Sequence, residues 1–194
     1  MIRTYNLTKR YANDFVALDK LNMEIRKGEI FGYVGPNGAG KTTTIRILCG
    51  LLKPTSGKAT IGDHDITGNP RTLRRLTGYL PDTFGVYEEM RVWEYLDFFG
   101  ACFRIPRRKR RARIDEVLHI TRSEAMRDYF VDTLSHGMRQ RIGIAKTLMH
   151  DPQVLFLDEP TNGLDPRARI EMRSFIRELA GLGKTILVSS HILP

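Results

Sequence analysis

Eight consecutive residues, Gly35 to Thr42, carry the residue types needed to bind a phosphate chain. They satisfy the pattern G-x-x-x-x-G-K-[ST] at every fixed position, and their three glycines let backbone N–H groups turn inward around phosphate oxygens. Lys41 would reach the β- and γ-phosphates, and Thr42 would offer a hydroxyl to Mg²⁺. The stretch predicts a nucleotide phosphate site formed by Gly35, Pro36, Asn37, Gly38, Ala39, Gly40, Lys41, Thr42 and Thr43.

Two carboxylates follow a second short apolar stretch. Residues Val154–Leu157 read as a buried strand that ends in Asp158 and Glu159. A carboxylate at a strand tip can hold Mg²⁺ directly or through water, so Asp158 is a predicted metal ligand. Because side chains alternate along an extended chain, Glu159 should point away from that ligand and orient or deprotonate an attacking water. The pair therefore predicts that Mg²⁺ binding and water activation take place beside the phosphate loop.

Two further polar side chains come after predicted strands. Pro81 ends the buried-strand candidate 78–80, which places Asp82 where a strand end would meet the phosphates, as a catalytic group and a Mg²⁺ ligand. His191 lies just past another apolar strand, 185–189. The carboxyl ends of strands in such sheets face the ligand crevice. We therefore expect both side chains near the nucleotide.

The elements that must position these residues indicate an α/β fold. The phosphate loop lies between a short buried strand, predicted over 29–34, and a helix over 43–51. Apolar residues alternate in short pieces over 1–25, which predicts an N-terminal antiparallel β subdomain covering the nucleotide core. Tyr11 lies in a polar loop within that segment, where its ring would either stack on a purine or cap the sheet edge.

Residues 84–150 differ in composition and are predicted to form an inserted α-helical subdomain. Seven of the chain's aromatic residues fall in its first part, 84–103: Phe84, Tyr87, Trp93, Tyr95, Phe98, Phe99 and Phe103. We expect most of these rings to form the insertion's own core, with Tyr87 and Trp93 more available to a partner. Residues 1–83 and 151–194 would then form the nucleotide-binding core of a single domain, 1–194.

The net charge of +9 is concentrated in one run. Its members are Arg104, Arg107, Arg108, Lys109, Arg110, Arg111 and Arg113, with no acid among them. The rest of the chain is nearly neutral. We interpret the run as a solvated helix face after Pro106, with an anionic lipid surface or nucleic acid as alternatives.

Cysteine content and hydropathy exclude other classes. Two cysteines, Cys49 and Cys102, do not make a disulfide scaffold or a metal-ligand spacing, so both are expected to be reduced, packed thiols. No uncharged apolar run approaches the roughly 18 residues that a membrane span needs, and the N-terminus lacks a secretory signal pattern. We expect a cytoplasmic chain.

The motifs, in this order, resemble the nucleotide-binding subunits of ATP-binding cassette (ABC) transporters over essentially the whole chain. Besides the Walker A and Walker B stretches, residues 134–138 (Leu-Ser-His-Gly-Met) look like the LSGGQ signature, and 162–165 resemble the D-loop. His191 stands at the position of the switch histidine. The resemblance implies ATP and Mg²⁺ as ligands, ATP hydrolysis, Glu159 as the catalytic glutamate and Tyr11 as the adenine-stacking aromatic.

The signature is itself an anion site. Ser135 and Gly137 precede a predicted helix, 138–149, so a hydroxyl, bare N–H groups and the positive helix end face one direction. Lys41 already provides a γ-phosphate contact. The chain would therefore have two anion sites. The resemblance implies that they act together in a head-to-tail dimer, in which the signature of one subunit closes over ATP bound to the other.

The sequence departs from the family pattern at several positions. Asp82 stands where the Q-loop glutamine is usual, and His136 and Met138 replace Gly and Gln in the signature. This leaves Ser135 and Gly137 as the expected phosphate contacts. Family members continue for further strands and helices past the position of Pro194, so the resemblance implies a C-terminally truncated chain.

Subfamily features point to export. The combination of 78–82, Val86-Tyr87, Trp93–Tyr95 and the signature looks most like ABC-2 exporters with a separately encoded transmembrane permease subunit. We therefore expect an ATPase peripheral to the cytoplasmic face of the membrane, with a second ATP-binding subunit and without nucleic acid. The alternative is a soluble ABC ATPase acting on ribosomes or DNA, supported by the basic run alone. A small-molecule kinase would leave the signature without a role.

Overall fold

The computed structural model describes residues 1–12, 14–85, 87 and 89–191; Val86 lies outside the described residues. The strands are β1 (Ile2–Arg10), β2 (Val16–Ile25), β3 (Ile30–Val34), β4 (Ser56–Ile61), β5 (His64–Asp65), β6 (Thr77–Leu80), β7 (Val154–Asp158) and β8 (Thr185–Ser190). The helices are α1 (Lys41–Leu48), α2 (Pro70–Leu76), α3 (Val92–Cys102), α4 (Arg107–Ile120), α5 (His136–Leu148) and α6 (Pro166–Gly181). Short 3₁₀ turns cover Glu124–Met126 and Val131–Thr133.

An antiparallel sheet contains the first two strands, in the order β2-β1-β4-β5. Ile2 lies opposite Ile25 on one side and opposite Ile61 on the other, and all three are fully buried. Because side chains alternate along each strand, these three residues lie on the same, covered face of the sheet. The predicted N-terminal antiparallel subdomain is confirmed.

A parallel sheet holds the site-bearing strands in the order β3-β8-β7-β6. Its strands all run the same way, so their carboxyl ends share one edge. The expectation of a buried strand over 29–34 is wrong, because β3 is the edge strand of the described sheet. Ile30 and Val34 are each 39% exposed, and only Phe31 and Tyr33 of β3 are partly covered.

Helix α1 lies between the two sheets, which explains why β7 is buried along its whole length. Val154 and Phe156 face the cluster that contains Ile45 and Leu48 of α1. The alternate residues of β7 face the opposite cluster, with α5 and α6. A strand covered on both faces reads as a continuous apolar run, as this one does.

Helices α3, α4 and α5 pack around an aliphatic centre. Of the aromatic residues expected to form this core, Tyr95 is fully buried, and Phe84 and Phe99 are partly buried against the same cluster. Tyr87 and Trp93 are 50% and 36% exposed, as expected for the two more available rings, whereas the expectation is wrong for Phe98, which is 40% exposed. The interior positions are held instead by Val92, Leu96, Ile114, Val117, Leu118, Ile142 and Ala145.

Helix α4 carries the basic run and begins after Pro106. Two members of the run are not solvated: the Arg110 guanidinium donates to Asp97 at 2.6 Å, and Arg113 donates to the Met149 carbonyl at 3.0 Å. The solvated-face interpretation is therefore wrong for these two arginines. It is also wrong to expect two packed cysteines, since Cys49 is buried but Cys102 is exposed.

Among the described residues, no helix has the length and apolar character required to cross a membrane.

Candidate functional site

The phosphate loop is anchored against β2 at its last glycine. Gly40 has φ 82° and is the N-cap residue of α1. A Cβ at this position would lie 2.3 Å from the Ala17 carbonyl oxygen. Both the left-handed backbone and the close approach require glycine. The loop can therefore direct its N–H groups and the N-terminus of α1 toward one anion.

A cavity of about 240 Å³ lies against this loop. It is lined by Phe15, Ala17, Asn37, Gly38, Ala39, Gly40, Lys41, Thr42, Thr43, Asp82 and Glu159. The fold thus brings the predicted loop residues together with Asp82 and Glu159, which come from different strand ends. Gly35 and Pro36 contribute through their carbonyl groups, as the Lys41 contacts show.

The Lys41 side chain is buried and held by three oxygen atoms. Its ammonium donates to the carbonyl oxygens of Gly35 at 2.6 Å and Pro36 at 3.0 Å. It also pairs with Glu159, with 3.6 Å between Nζ and Oε1. A phosphate oxygen near the loop would thus find a cation already positioned at the start of α1.

Glu159 leaves the direction of β7 as soon as the strand ends. Its φ is 50°, a left-handed conformation, and its N–H donates to the Ser189 hydroxyl at 2.9 Å. The expectation that strand alternation sets its direction is wrong. The carboxylate lies beside Lys41 and accepts from His191, at 2.8 Å from Nδ1 and 3.2 Å from the backbone N–H.

Asp158 lies beneath Glu159 and is only 1% exposed. The Ser189 hydroxyl donates to its Oδ1 at 2.6 Å, and the Tyr79 hydroxyl lies 3.5 Å from its Oδ2. Burial, and secondarily the Asp158 charge, raises the pKa of Tyr79 to about 12. Ser189 contacts both carboxylate residues, yet nothing in the sequence marks it apart from its position in β8.

Mg²⁺ is the metal that these donors suit. Among the described residues, no three or more His, Cys, Asp and Glu side chains form a group that could hold a metal ion alone. Thr42 and Asp158 offer oxygen atoms, and Asp82 lines the same cavity as Thr42. Mg²⁺ is usually held by one or two carboxylates together with substrate phosphates. The donor set fits Mg²⁺ that arrives with a nucleotide.

Tyr11 stands next to the loop without lining its cavity. Its hydroxyl is 3.4 Å from the Thr43 hydroxyl, and its ring stacks on Phe15 with centroids 6.4 Å apart and an interplanar angle of 23°. Both rings are partly exposed, at 37% and 52%. Phe15 lines the cavity itself and was missed by sequence reasoning, although it lies only four residues after Tyr11.

Ser135 and Gly137 lie at a different cavity. Ser135 caps α5 by accepting from the Met138 N–H at 3.3 Å. Both residues line a cavity of about 500 Å³ together with parts of 163–165 and α6. In the part of the chain that the structure describes, this cavity shares no lining residue with the phosphate-loop cavity. Within one chain, the two predicted anion sites therefore lie at separate cavities.

A loop residue after β7 connects the two sites. Asn162 donates from Nδ2 to the Asp82 carboxylate at 3.1 Å, and its carbonyl oxygen lies 2.8 Å from His136 Nε2. Gly163, with φ 69°, lets the chain pass the His136 ring, 3.2 Å from where a Cβ would stand.

Known proteins resemble this chain in sequence and in fold. A family model described as ABC transporter matches residues 18–162. The bacitracin transport ATP-binding protein BcrA of Bacillus licheniformis is 42% identical over 194 residues, which is 100% of this chain and 62% of that protein. Across the matched relatives, this chain spans between about one third and two thirds of their length.

Solved structures of cassettes superpose closely. cbiO1 from Clostridium perfringens, part of the ABC transporter complex cbiONQ, aligns with a TM-score of 0.89 and 32% identity over 98% of this chain and 78% of that one. A dimeric post-hydrolysis state of the cassette MJ0796, bound to ADP and Pi, aligns with a TM-score of 0.88 and 26% identity over 99% and 88%.

Proposed function

This chain belongs to the ABC transporter family as one of its ATP-binding cassettes, and from that premise we propose that it hydrolyses ATP in a head-to-tail dimer to drive export through a separate membrane subunit. The observation that carries the proposal is the separation of the two anion sites. Lys41, Asp82 and Glu159 share one cavity, whereas Ser135 and Gly137 lie at another.

We assign ATP binding to the loop and the β1–β2 hairpin. The N–H groups of 37–42 and the Lys41 ammonium would contact the phosphates, with Lys41 exchanging its Glu159 and carbonyl contacts for phosphate oxygens. Tyr11 and Phe15 would offer ring faces to the adenine.

We assign hydrolysis to Glu159 as general base. Once phosphate engages Lys41, the Glu159 carboxylate is free to accept a proton from a water aligned with the γ-phosphate. His191 donates to that carboxylate and orients it, while Ser189 holds the backbone of Glu159 and the carboxylate of Asp158. Mg²⁺, held by Thr42 and Asp158 with Asp82 nearby, would neutralise phosphate charge.

A second subunit completes the site in this proposal. The Ser135 hydroxyl and the N–H groups at the start of α5 would meet the γ-phosphate bound by the partner's loop. The dimeric MJ0796 cassette supports this arrangement, and the relation of cbiO1 to the complex cbiONQ supports a membrane partner. The subunit would then lie at the cytoplasmic face of the membrane.

We also propose that 1–194 is one ATP-binding domain. Its nucleotide core would be about 1–83 and 151–194, and the helical part about 84–150 would transmit motion to the membrane subunit. One cluster of buried residues supports this continuity, since it joins α3, α4 and α5 to β7, β8 and α6.

The experiment that tests the proposal is the concentration dependence of ATP hydrolysis by the purified full-length protein. Turnover per subunit should rise with protein concentration until dimers saturate, and Lys41→Ala should remove it at every concentration. A constant rate per subunit from nanomolar to micromolar protein would refute the shared site. Copurification from native membranes should recover a membrane-spanning partner; recovery of ribosomes or DNA would favour the alternative function.

A further inference from the structure

Six basic side chains from two separate segments meet on one surface, here named the basic cluster. Its members are Arg71, Arg74 and Arg75 of α2, Arg104 of the α3–α4 turn, and Arg108 and Lys109 of α4. They line two cavities of about 850 and 260 Å³ that adjoin, because both are lined by Arg75, Phe103 and Arg104. The fold, not the basic run alone, creates this concentration of charge.

The cluster has no internal neutralisation among the described residues. None of its six side chains makes an ion pair there, whereas Arg110 and Arg113 of the same run pair with Asp97 and Glu116. Of the described acidic residues, Glu116 and Asp151 line the larger cavity. Both are already paired, with Arg113 at 2.8 Å and Lys184 at 2.6 Å.

Local structure accounts for only part of this arrangement. Arg74 and Arg75 lie in the last turn of α2, where cations interact favourably with the helix dipole. That effect does not explain Arg71 in the first turn, nor Arg108 and Lys109 at the N-terminal turn of α4, where the dipole disfavours cations. Like charges brought together in this way repel one another, and an anionic ligand would relieve that repulsion.

We propose that the basic cluster binds the phosphate headgroups of an anionic membrane surface. Its cations are exposed and spread over two elements, which suits an extended charged surface better than one small anion. The ring inside the cluster, Phe103, is stacked on His150 at 3.8 Å and is therefore not free to stack on nucleic-acid bases.

Neighbouring residues favour a membrane over an acidic protein. On α4, Arg107 and Arg111 line a further cavity with Trp93, which is 36% exposed. These two arginines also make no ion pair among the described residues, so unpaired charge extends around the first turns of α4 toward an exposed indole. Tryptophan beside basic residues is typical of surfaces that meet a membrane interface. The proposal goes beyond a contact made through a membrane subunit.

The test is sedimentation of the purified protein with vesicles of phosphatidylcholine alone or of phosphatidylcholine and phosphatidylglycerol in equal amounts. Each basic residue near an anionic surface strengthens binding roughly fivefold, so replacing Arg71, Arg74 and Arg75 together by Gln should weaken binding about a hundredfold. The matched control replaces Lys27, Arg173 and Arg177, which are exposed and lie outside the cluster, by Gln. Its binding should stay close to that of the unmodified protein.

A second triple variant, Arg104→Gln, Arg108→Gln and Lys109→Gln, tests the other segment and should lose binding similarly, with thermal unfolding checked for all variants. Binding to mixed vesicles should also weaken as salt rises.

Equal losses in cluster and control variants would overturn the proposal, as would salt-independent binding or equal binding to both vesicles. Tighter cluster-dependent binding of double-stranded DNA or polyphosphate would assign the surface to another anion. Neither ATP nor a permease is needed, so failure here is distinct from failure of the proposed function.

Discussion

Asn162 contacts both Asp82 and His136, two of the residues at which the sequence departs from the ABC pattern. Its side-chain amide donates to the Asp82 carboxylate at 3.1 Å, and its carbonyl oxygen accepts from His136 Nε2 at 2.8 Å. A carboxylate can accept this amide proton with either oxygen. The unusual residues thus form a connected contact between the phosphate-loop cavity and the N-terminus of α5.

Asp82→Ala should change ATP hydrolysis more than it changes stability. The lost hydrogen bond is exposed and should cost at most about 1 kcal/mol of unfolding free energy, whereas the cavity beside the loop loses a carboxylate. We expect turnover to fall by roughly tenfold or more, a typical effect for a group that positions the reacting water or metal. Steady-state ATPase assays and urea unfolding measure the two effects.

The matched control for that experiment is Asp63→Ala, which removes an exposed aspartate in the turn after β4. It should leave turnover unchanged. If Asp82→Ala also hydrolyses ATP at the normal rate and supports normal transport, Asp82 has no part in the site.

Glu159→Gln should bind ATP but hydrolyse it about 10² to 10⁴ times more slowly, because an amide cannot accept the proton of water. Glutamine has nearly the same shape as glutamate, so the contact with His191 should largely be kept. Asp158→Asn should instead raise the Mg²⁺ concentration needed for activity. Nucleotide-binding and Mg²⁺ titrations distinguish the two variants, and the opposite pattern would mean that the roles are exchanged.

Ser135→Arg should abolish hydrolysis and leave ATP binding to the phosphate loop largely intact. The bulky side chain would stand where the proposed partner's phosphate must approach. Loss of the cap on Met138 should also cost about 1 kcal/mol of stability. Ser135→Ala loses the same cap without adding bulk, so it separates the two effects. Equal ATPase activity in Ser135→Arg and the unmodified protein would argue against contact across a dimer.

Lys146→Met should stabilise the protein at neutral pH. The Lys146 ammonium lies over the rings of Phe84 at 4.8 Å and Phe99 at 5.1 Å, and burial lowers its pKa to about 8. Since the unfolded chain keeps its ordinary, higher pKa, the folded protein releases this proton first as pH rises. Stability of the unmodified protein should therefore increase between about pH 8 and 10.5.

The measurement is urea unfolding of both proteins at pH 7 and pH 10. The methionine variant should gain on the order of 2 to 3 kcal/mol at pH 7, and most of that gain should disappear at pH 10. A gain that does not depend on pH would mean that packing, not the charge, is responsible.

Residue types and spacing predicted the phosphate loop, the strand-end carboxylates and both sheets, because glycine positions and short apolar runs report local backbone requirements. The direction of Glu159 was not predictable in this way. Its left-handed backbone is held by Ser189, which lies 30 residues further along the chain. Strand alternation therefore no longer predicts the side-chain direction where a hydroxyl from a distant strand accepts the hydrogen bond of the backbone N–H.

Exposure was harder to predict than element type. The sequence of β3 reads as apolar, but its place at the edge of the described sheet leaves Ile30 and Val34 exposed. Position within a sheet depends on strand order, which local composition does not report. The same limit applies to Phe15, whose place in the cavity follows from how the β1–β2 hairpin packs beside the loop.

The left-handed backbone of Glu159 and the ion pair of its side chain favour different residues at this position. A residue with a Cβ in this conformation costs roughly 1 kcal/mol, and glycine would relieve that strain. Glu159→Gly would keep the Ser189 bond to its N–H, but it would leave the buried Lys41 ammonium without the carboxylate 3.6 Å away, and that loss outweighs the strain relieved. Selection for stability alone should therefore keep a carboxylate at this position, although its backbone conformation would be relaxed by glycine.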